Sequence, residues 1–462
     1  MPLYSSTLGA NILRILGHER RSDNFILSHV KAASGSCFFP FHHKSPTNLP
    51  SHIGCVSKFD QIDSSSLMEK DGKMFRVFSE PEEYSKQLDV AVRAVQLACS
   101  FCQKMQDTLV SKTRNHDLVT SKDDIFQVTV AAWSVKAIVS WILSEFLGGE
   151  NISILAEEDV HQTLSNTNAS ELLTSVVKTV NECLAEASRF GIEEPKSPLG
   201  ASELLEIISN FNKVGSPSGR FWVLDPLDGA FGFVEGDQYA VALSLIEDGE
   251  VVLGVLGCPN YPMRKDWLSY QNSYQRIISQ LNPSTIETWN KGCVIHAKRG
   301  NGKAWIQPLL HVNNKFVWPN NAKPVSVSCI ENPVLATFCE TVEKANSSHS
   351  FTEGLAHSVG LSNQPLRVHS MVKYAAIACG DAEVFMKFAR AGHKEKIWDH
   401  AAGVIIIQEA GGMVTDAGGD PLDFTNGSCL EGLDRGIVAC AGATLHEKII
   451  DSVDASWASS CL

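Results

Sequence analysis

Two short apolar runs in this chain end in carboxylates, and a third carboxylate stands at the start of a helical pattern far along the sequence. Residues 153–156 lead into Glu157 and Glu158, residues 221–224 lead into Asp225, and Asp399 follows Trp398 just ahead of the pattern at 401–409. Asp225 and Asp228 flank Pro226-Leu227, where the chain turns sharply enough for both side chains to face one point. A hard divalent cation needs oxygen ligands of this kind, held at the ends of rigid elements. A fold that uses these acids together must bring strand ends and a helix start back to one place. A lone acid in such a position is ordinarily solvated or caps a helix; Asp399 would also complement the helix N-terminus. The conjunction of the three is more specific than any one.

The chain is long enough to supply such a fold. Its 462 residues exceed one small core and fit two packed domains, at roughly 100–200 residues each. Hydrophobic residues make up 44% and charged residues 20%, both ordinary for a globular protein. No run of about 18 uninterrupted apolar residues occurs, so no membrane partner is expected. The net charge of −13 repels a nucleic-acid backbone and excludes polymeric DNA or RNA as a partner class. A small anion remains compatible wherever local cations or metals overturn the global field. The 13 cysteines are an odd number without small-scaffold spacing, which argues against a disulfide framework. Cys99 and Cys102 form a C-x-x-C in mid-helix, a place for buried packing rather than redox chemistry.

Residues 1–75 read as a transit peptide and linker. Arg14, Arg20, Arg21, Lys31, Lys44 and Lys58 stand among many serines, with Glu19 and Asp23 the only acids before Asp60. Such a start is expected to address the chain to the mitochondrion, with the chloroplast as the alternative. The folded part is expected as an N-terminal α+β domain over 81–310 and a C-terminal α/β domain over 325–462. Leu88, Val92, Val95, Cys99, Cys102, Met105 and Leu109 predict a first amphipathic helix. A polar turn at 122–124 and a second helix over 132–146 follow. Residues 165–215 read as an irregular insertion or lid, and 267–291 as a variable linker. Asp248-Gly249 predicts a hairpin between 239–247 and 250–257, and the turn at 299–302 a second one. Strands are expected at 334–338, 382–388, 413–416 and 436–440, and helices at 351–359, from 372, at 401–409 and at 445–453.

These blocks resemble the inositol-monophosphatase superfamily of magnesium-dependent phosphatases. The carrying residues are Glu157-Glu158, Asp225-Pro226-Leu227-Asp228-Gly229, and Trp398-Asp399-His400-Ala401-Ala402-Gly403 followed by Glu409-Ala410-Gly411-Gly412. Ser370-Met371-Val372-Lys373-Tyr374 and the run Lys394–His400 narrow the likeness to the 3′(2′),5′-bisphosphate nucleotidases, and further to their plant organellar members. The likeness implies an α/β fold in α-β-α-β-α layers with two domains. It implies Mg2+ held by Glu157, Asp225, the carbonyl of Leu227, Asp228 and Asp399. It implies a small nucleotide bisphosphate as substrate, contacted by Asn346, Ser370, Lys373, Lys387 and Asp399. Asn346 stands where some relatives have His. Lys387 stands where some have Arg, keeping the charge but losing the two-pronged guanidinium.

Two departures stand out. Relatives usually read Ser-Pro-Val-Thr-x-Ala-Asp where this chain has Phe126 to Ala132, so the Asp that helps activate the attacking water is Ala132. Relatives read Asp-Pro-Ile/Val-Asp-Gly-Thr, and here the Thr is Ala230. Alanine neither accepts a proton nor hydrogen-bonds a water. The expected activity is hydrolysis of the 3′-phosphate of 3′-phosphoadenosine 5′-phosphate, slowed by these losses; the alternative is a pseudophosphatase that holds metal and nucleotide without turnover.

Overall fold

The computed structural model describes residues 83–114, 121–148, 152–157, 169–209, 219–262, 291–310, 322–342, 349–362, 365–388, 393–430 and 436–460. The transit-peptide segment, the linker over 267–290, Glu158 and Asn346 lie outside them.

Two sheets organise the described residues. The first has seven strands in chain order: β1 (Ile154–Ala156), β2 (Arg220–Asp228), β3 (Ala240–Glu247), β4 (Glu250–Pro262), β5 (Lys291–Lys298), β6 (Ala304–Pro308) and β7 (Lys323–Val325). Only the β1–β2 pair is parallel. The second has five: β8 (Phe338–Thr341), β9 (Leu366–Val368), β10 (Val384–Lys387), β11 (Met413–Asp416) and β12 (Ile437–Cys440), in the order β11-β12-β10-β8-β9.

Three helical layers enclose these sheets, and the period-2 alternation of the strands decides which core each side chain enters. On β2, Trp222 and Leu224 join the core beneath α1 (Ser85–Arg114), α2 (Ser121–Leu147), α3 (Ala169–Leu184) and α4 (Ala201–Ser209). Phe221 and Val223 point the other way, into a core with α7 (Val372–Ala378) and α8 (Ala401–Glu409). On β12, Ile437 and Ala439 enter that same central core. Val438 and Cys440 face the outer layer of α6 (His349–Val359) and α9 (Ala443–Ser460). Both faces of both sheets are covered, which gives the α-β-α-β-α order. Gly254 on β4 sets the close approach of the middle layer: a methyl group there would lie 2.8 Å from the carbonyl oxygen of Ala402 on α8.

Three expectations are corrected. Residues 122–124 form no turn; α2 starts at Ser121, and Asp123 and Asp124 sit in its first turn, where acids favour the positive helix end. The segment over 165–215 is no lid in its described part. Leu172, Val176, Val180, Leu204 and Ile208 are buried in the first core against α2, and Phe190 is buried there against α1. The polar residues that suggested a loop occupy the outer faces of α3 and α4. Finally, the strand expected at 334–338 begins only at Phe338; Val334 and Leu335 are exposed in the preceding turn.

Helix α2 is long and apolar enough to cross a membrane over Asp123–Leu147, but 78% of its most apolar stretch is buried inside the fold. It is the central helix of the first core. Cys99 and Cys102 on α1 are buried as well, and burial raises both thiols far above their ordinary value.

Candidate active site

Strand pairing brings the first acids together. Ala156 on β1 lies opposite Leu224 on β2, so Glu157 and Asp225 are the next residues along two adjacent parallel strands. Beyond Asp225 the pairing of β2 with β3 shifts register before resuming at Asp228. Pro226 has no N–H to contribute to a ladder, and the Asp225 carboxylate accepts the Leu227 N–H at 3.2 Å, closing the bend on itself. Gly229 follows with φ of 87° and opens the short helix α5 (Ala230–Glu235). A side chain there would meet the Cβ of Ser370 at 2.9 Å.

That approach joins two distant stretches of sequence. Ser370 adopts a left-handed φ of 62° and turns the chain into α7. The next residue, Met371, donates its backbone N–H to the Asp228 carboxylate. Lys373 is 6% exposed and donates its ammonium to the Ser370 carbonyl. Asp399 arrives from a third direction, in a single 3-10 turn (Ile397–Asp399) packed against β2 and β3 just before α8.

Crowding shows in the carboxylates themselves. Burial pushes Asp225 well above the usual range, and Asp228, Asp399 and Glu157 push it further. Asp399 rises from 3.8 to about 8, first through burial and then through Asp228, with Lys387 opposing and Glu395 and Glu157 adding to the rise. Asp228 and Glu157 act on both Asp225 and Asp399, so these acids lie near one another, and a divalent cation relieves the same repulsion. Four carboxylates and a backbone carbonyl are also the donor set a hard cation prefers. The residues present therefore fit a magnesium-class ion.

A second group stands beside Asp399. Ligand atoms of Glu395, Asp399 and His400 all lie within 4.8 Å of one another. His400 is nevertheless committed elsewhere: Nδ1 pairs with the Tyr374 hydroxyl at 2.7 Å and Nε2 with Glu395 at 3.0 Å. Burial lowers the His400 pKa against the pull of Glu395, so the ring is neutral. Nε2–H must then donate to the carboxylate, and Nδ1 must accept from Tyr374. Neither nitrogen is left for a metal. Glu395 also takes the Lys387 ammonium at 2.6 Å. Burial alone would raise the Glu395 carboxyl, but His400 and Lys387 hold it below the usual range. Lys387 is thus a half-buried cation held in place next to Asp399.

The alanines at the two departures are both buried. Ala132 on α2 is 6% exposed and Ala230 is 9% exposed, and both belong to the first core. One turn beyond Ala132, Lys136 donates its ammonium to the backbone carbonyl of Glu157. Sequence periodicity does not single out Lys136, although a lone charge within the apolar stretch 130–143 is a visible signal. The pairing of His400 with Glu395 has no sequence signal beyond their nearness in the run Lys394–His400, and that with Tyr374, 26 positions away, has none.

The inositol monophosphatase family profile matches residues 124–458. A 3′,5′-bisphosphate nucleotidase, AHL, of Arabidopsis thaliana is 57% identical over 376 residues, covering 81% of this chain and 98% of its own length. This chain belongs to the inositol monophosphatase family. A 3′(2′),5′-bisphosphate nucleotidase of Oryza sativa is 37% identical over 77% of this chain and 90% of its own. A solved structure, the extragenic suppressor protein suhB of Bartonella henselae, aligns over 80% of this chain and 100% of its own at 17% identity, with a TM-score of 0.45. Members of the family are metal-dependent phosphatases, and the acidic cluster around Asp225 and Asp399 stands where this chain has the groups for such a centre.

Proposed function

We propose that this chain removes the 3′-phosphate of 3′-phosphoadenosine 5′-phosphate, giving AMP and inorganic phosphate, with Mg2+ as its metal. The observation that carries this reading is the 57% identity, over 98% of its length, to a protein named 3′,5′-bisphosphate nucleotidase. The contact of Met371 with Asp228 supports it, because it ties the stretch assigned to the nucleotide to the stretch assigned to the metal.

In this reading Glu157, Asp225, Asp228, Asp399 and the Leu227 carbonyl hold the metal. Bound there, magnesium polarises a phosphate oxygen and lowers the pKa of a bound water. Ser370 and Lys373 face the nucleotide phosphates, with Asn346 assigned beside them from sequence. Lys387 adds a cation fixed by Glu395 at 2.6 Å, which attracts phosphate without a free side chain having to be ordered. The first 75 residues act as the organelle address.

The alanines at 132 and 230 favour a second reading, a protein that binds metal and nucleotide with little turnover. A positioned base is worth roughly 10²–10⁴ in rate, or about 3–5 kcal/mol of barrier. Losses at two residues serving one water are not additive, so the deficit need not be their product. Phosphate release from the nucleotide in Mg2+ tests both readings. The parent protein is expected to turn over slowly. Ala132→Asp with Ala230→Thr is expected to raise the rate roughly tenfold or more. Tight nucleotide binding with no phosphate released by the parent would establish the second reading, and an inert double variant would remove the roles given to these two positions.

A further inference from the structure

Lys136 lies in the middle of the longest continuously buried stretch among the described residues. Every residue from Val130 to Leu143 is 8% exposed or less, and Lys136 itself is 3% exposed. An ammonium in such surroundings requires negative or carbonyl partners. Its ammonium reaches out of the helix to the Glu157 carbonyl, at the end of β1 and beside Asp225. Ala132 precedes it by four residues, so both stand on one helix face, from which Lys136 reaches the Glu157 carbonyl. Compared with an acid at 132 and a neutral side chain at 136, the pair Ala132 and Lys136 shifts the local charge by two positive units. That is the charge of one divalent ion.

We propose that the Lys136 ammonium is a built-in cation of this site, standing on the Glu157 side in place of one divalent ion. The site then holds one metal ion fewer than its carboxylates would otherwise admit. The alanine at 132 and the lysine at 136 act together in this view: without an acid at 132 the extra ion is poorly held, and the lysine sets a positive charge beside the end of β1 at Glu157 in its stead. The inference rests on the reading of these carboxylates as a metal centre, and not on the identity of the substrate.

Counting bound Mn2+ by calorimetry and by electron paramagnetic resonance tests it without any assay of activity. Lys136→Gln is expected to bind one Mn2+ per chain more than the parent, and Ala132→Asp/Lys136→Gln to bind that ion at least tenfold more tightly. Lys136→Arg keeps the charge and is expected to keep the parent's count. If Lys136→Gln does not fold by circular dichroism, Lys136→Met carries the same expectation, since an unbranched apolar chain suits the burial. A parent that binds Mn2+ with a count unchanged in these variants overturns the role of Lys136 alone. Absence of Mn2+ binding in the parent and in every variant overturns the metal-centre reading and this inference with it.

Discussion

Replacing Asp399 by asparagine separates what the site costs the fold from what it offers a metal. In the metal-free protein the Asp399 carboxyl is raised from 3.8 to about 8, because it is largely withdrawn from solvent beside Asp228, Glu395 and Glu157, with Lys387 opposing. Between these two values the native state holds a proton that the unfolded chain has released. Stability therefore falls as pH rises through that window and levels off above it. Near pH 7 the difference amounts to about three units, or about 4 kcal/mol. Partial exposure of Asp399 screens some of this, leaving about 2–4 kcal/mol. Asparagine carries no charge to confine, so Asp399→Asn is expected to melt higher than the parent in chelator, by roughly 4–16 °C at about 2–4 °C per kcal/mol. The gap is expected to widen as pH rises from 3.8 to about 8. Adding Mg2+ reverses the order, since binding stabilises only the protein that keeps the ligand. Scanning calorimetry of both proteins across that range, with chelator and with Mg2+, measures each of these. A gap that stays constant or narrows with rising pH would refute the reasoning, whatever the absolute melting temperatures.

Other expectations follow from the same geometry. Glu395→Gln removes the negative charge shared by Lys387 and His400 and is expected to raise KM for an anionic substrate several-fold more than it lowers kcat, as steady-state kinetics would show. Leu172→Ala on α3 is expected to cost about 2–5 kcal/mol in denaturant titrations, as for a core leucine; a loss below about 1 kcal/mol would return that segment to the status of a surface flap. Thiol labelling with peptide mapping is expected to mark the exposed Cys329 quickly and to leave Cys99, Cys102 and Cys183 unmodified until denaturant is added, since burial pushes the Cys183 thiol up to about 12.

The layered architecture was legible because its signals are local. Asp248-Gly249 marked the β3–β4 hairpin, and apolar periodicity marked α1 and α8 to within a few residues. Residues 413–416 emerged as a strand because a short apolar run bounded by glycine and aspartate admits little else. The segment over 165–215 failed for a physical reason: α3 and α4 bury a narrow stripe on α2 and leave wide polar faces in solvent, so composition resembled a loop. The start of α2 failed because acids in a first turn look like a turn when read without the dipole. At the site, the acids were legible from their places at element ends. Their supports were not. Lys136 reaches Glu157 across 21 positions and Met371 reaches Asp228 across 143, and no pattern along the chain encodes either contact.

The bond from the Met371 N–H to Asp228 has a thermodynamic consequence for how ligands bind. An ion that draws on the Asp228 carboxylate changes the charge facing the turn at Ser370, and a nucleotide that fixes that turn restrains the carboxylate. With the roles proposed for Asp228 and Ser370, binding of either ligand would alter the affinity for the other, by the same factor in both directions. A titration of nucleotide at several metal concentrations would read that factor directly, and cooperativity between the two would originate in a single backbone hydrogen bond shared by the two halves of the site.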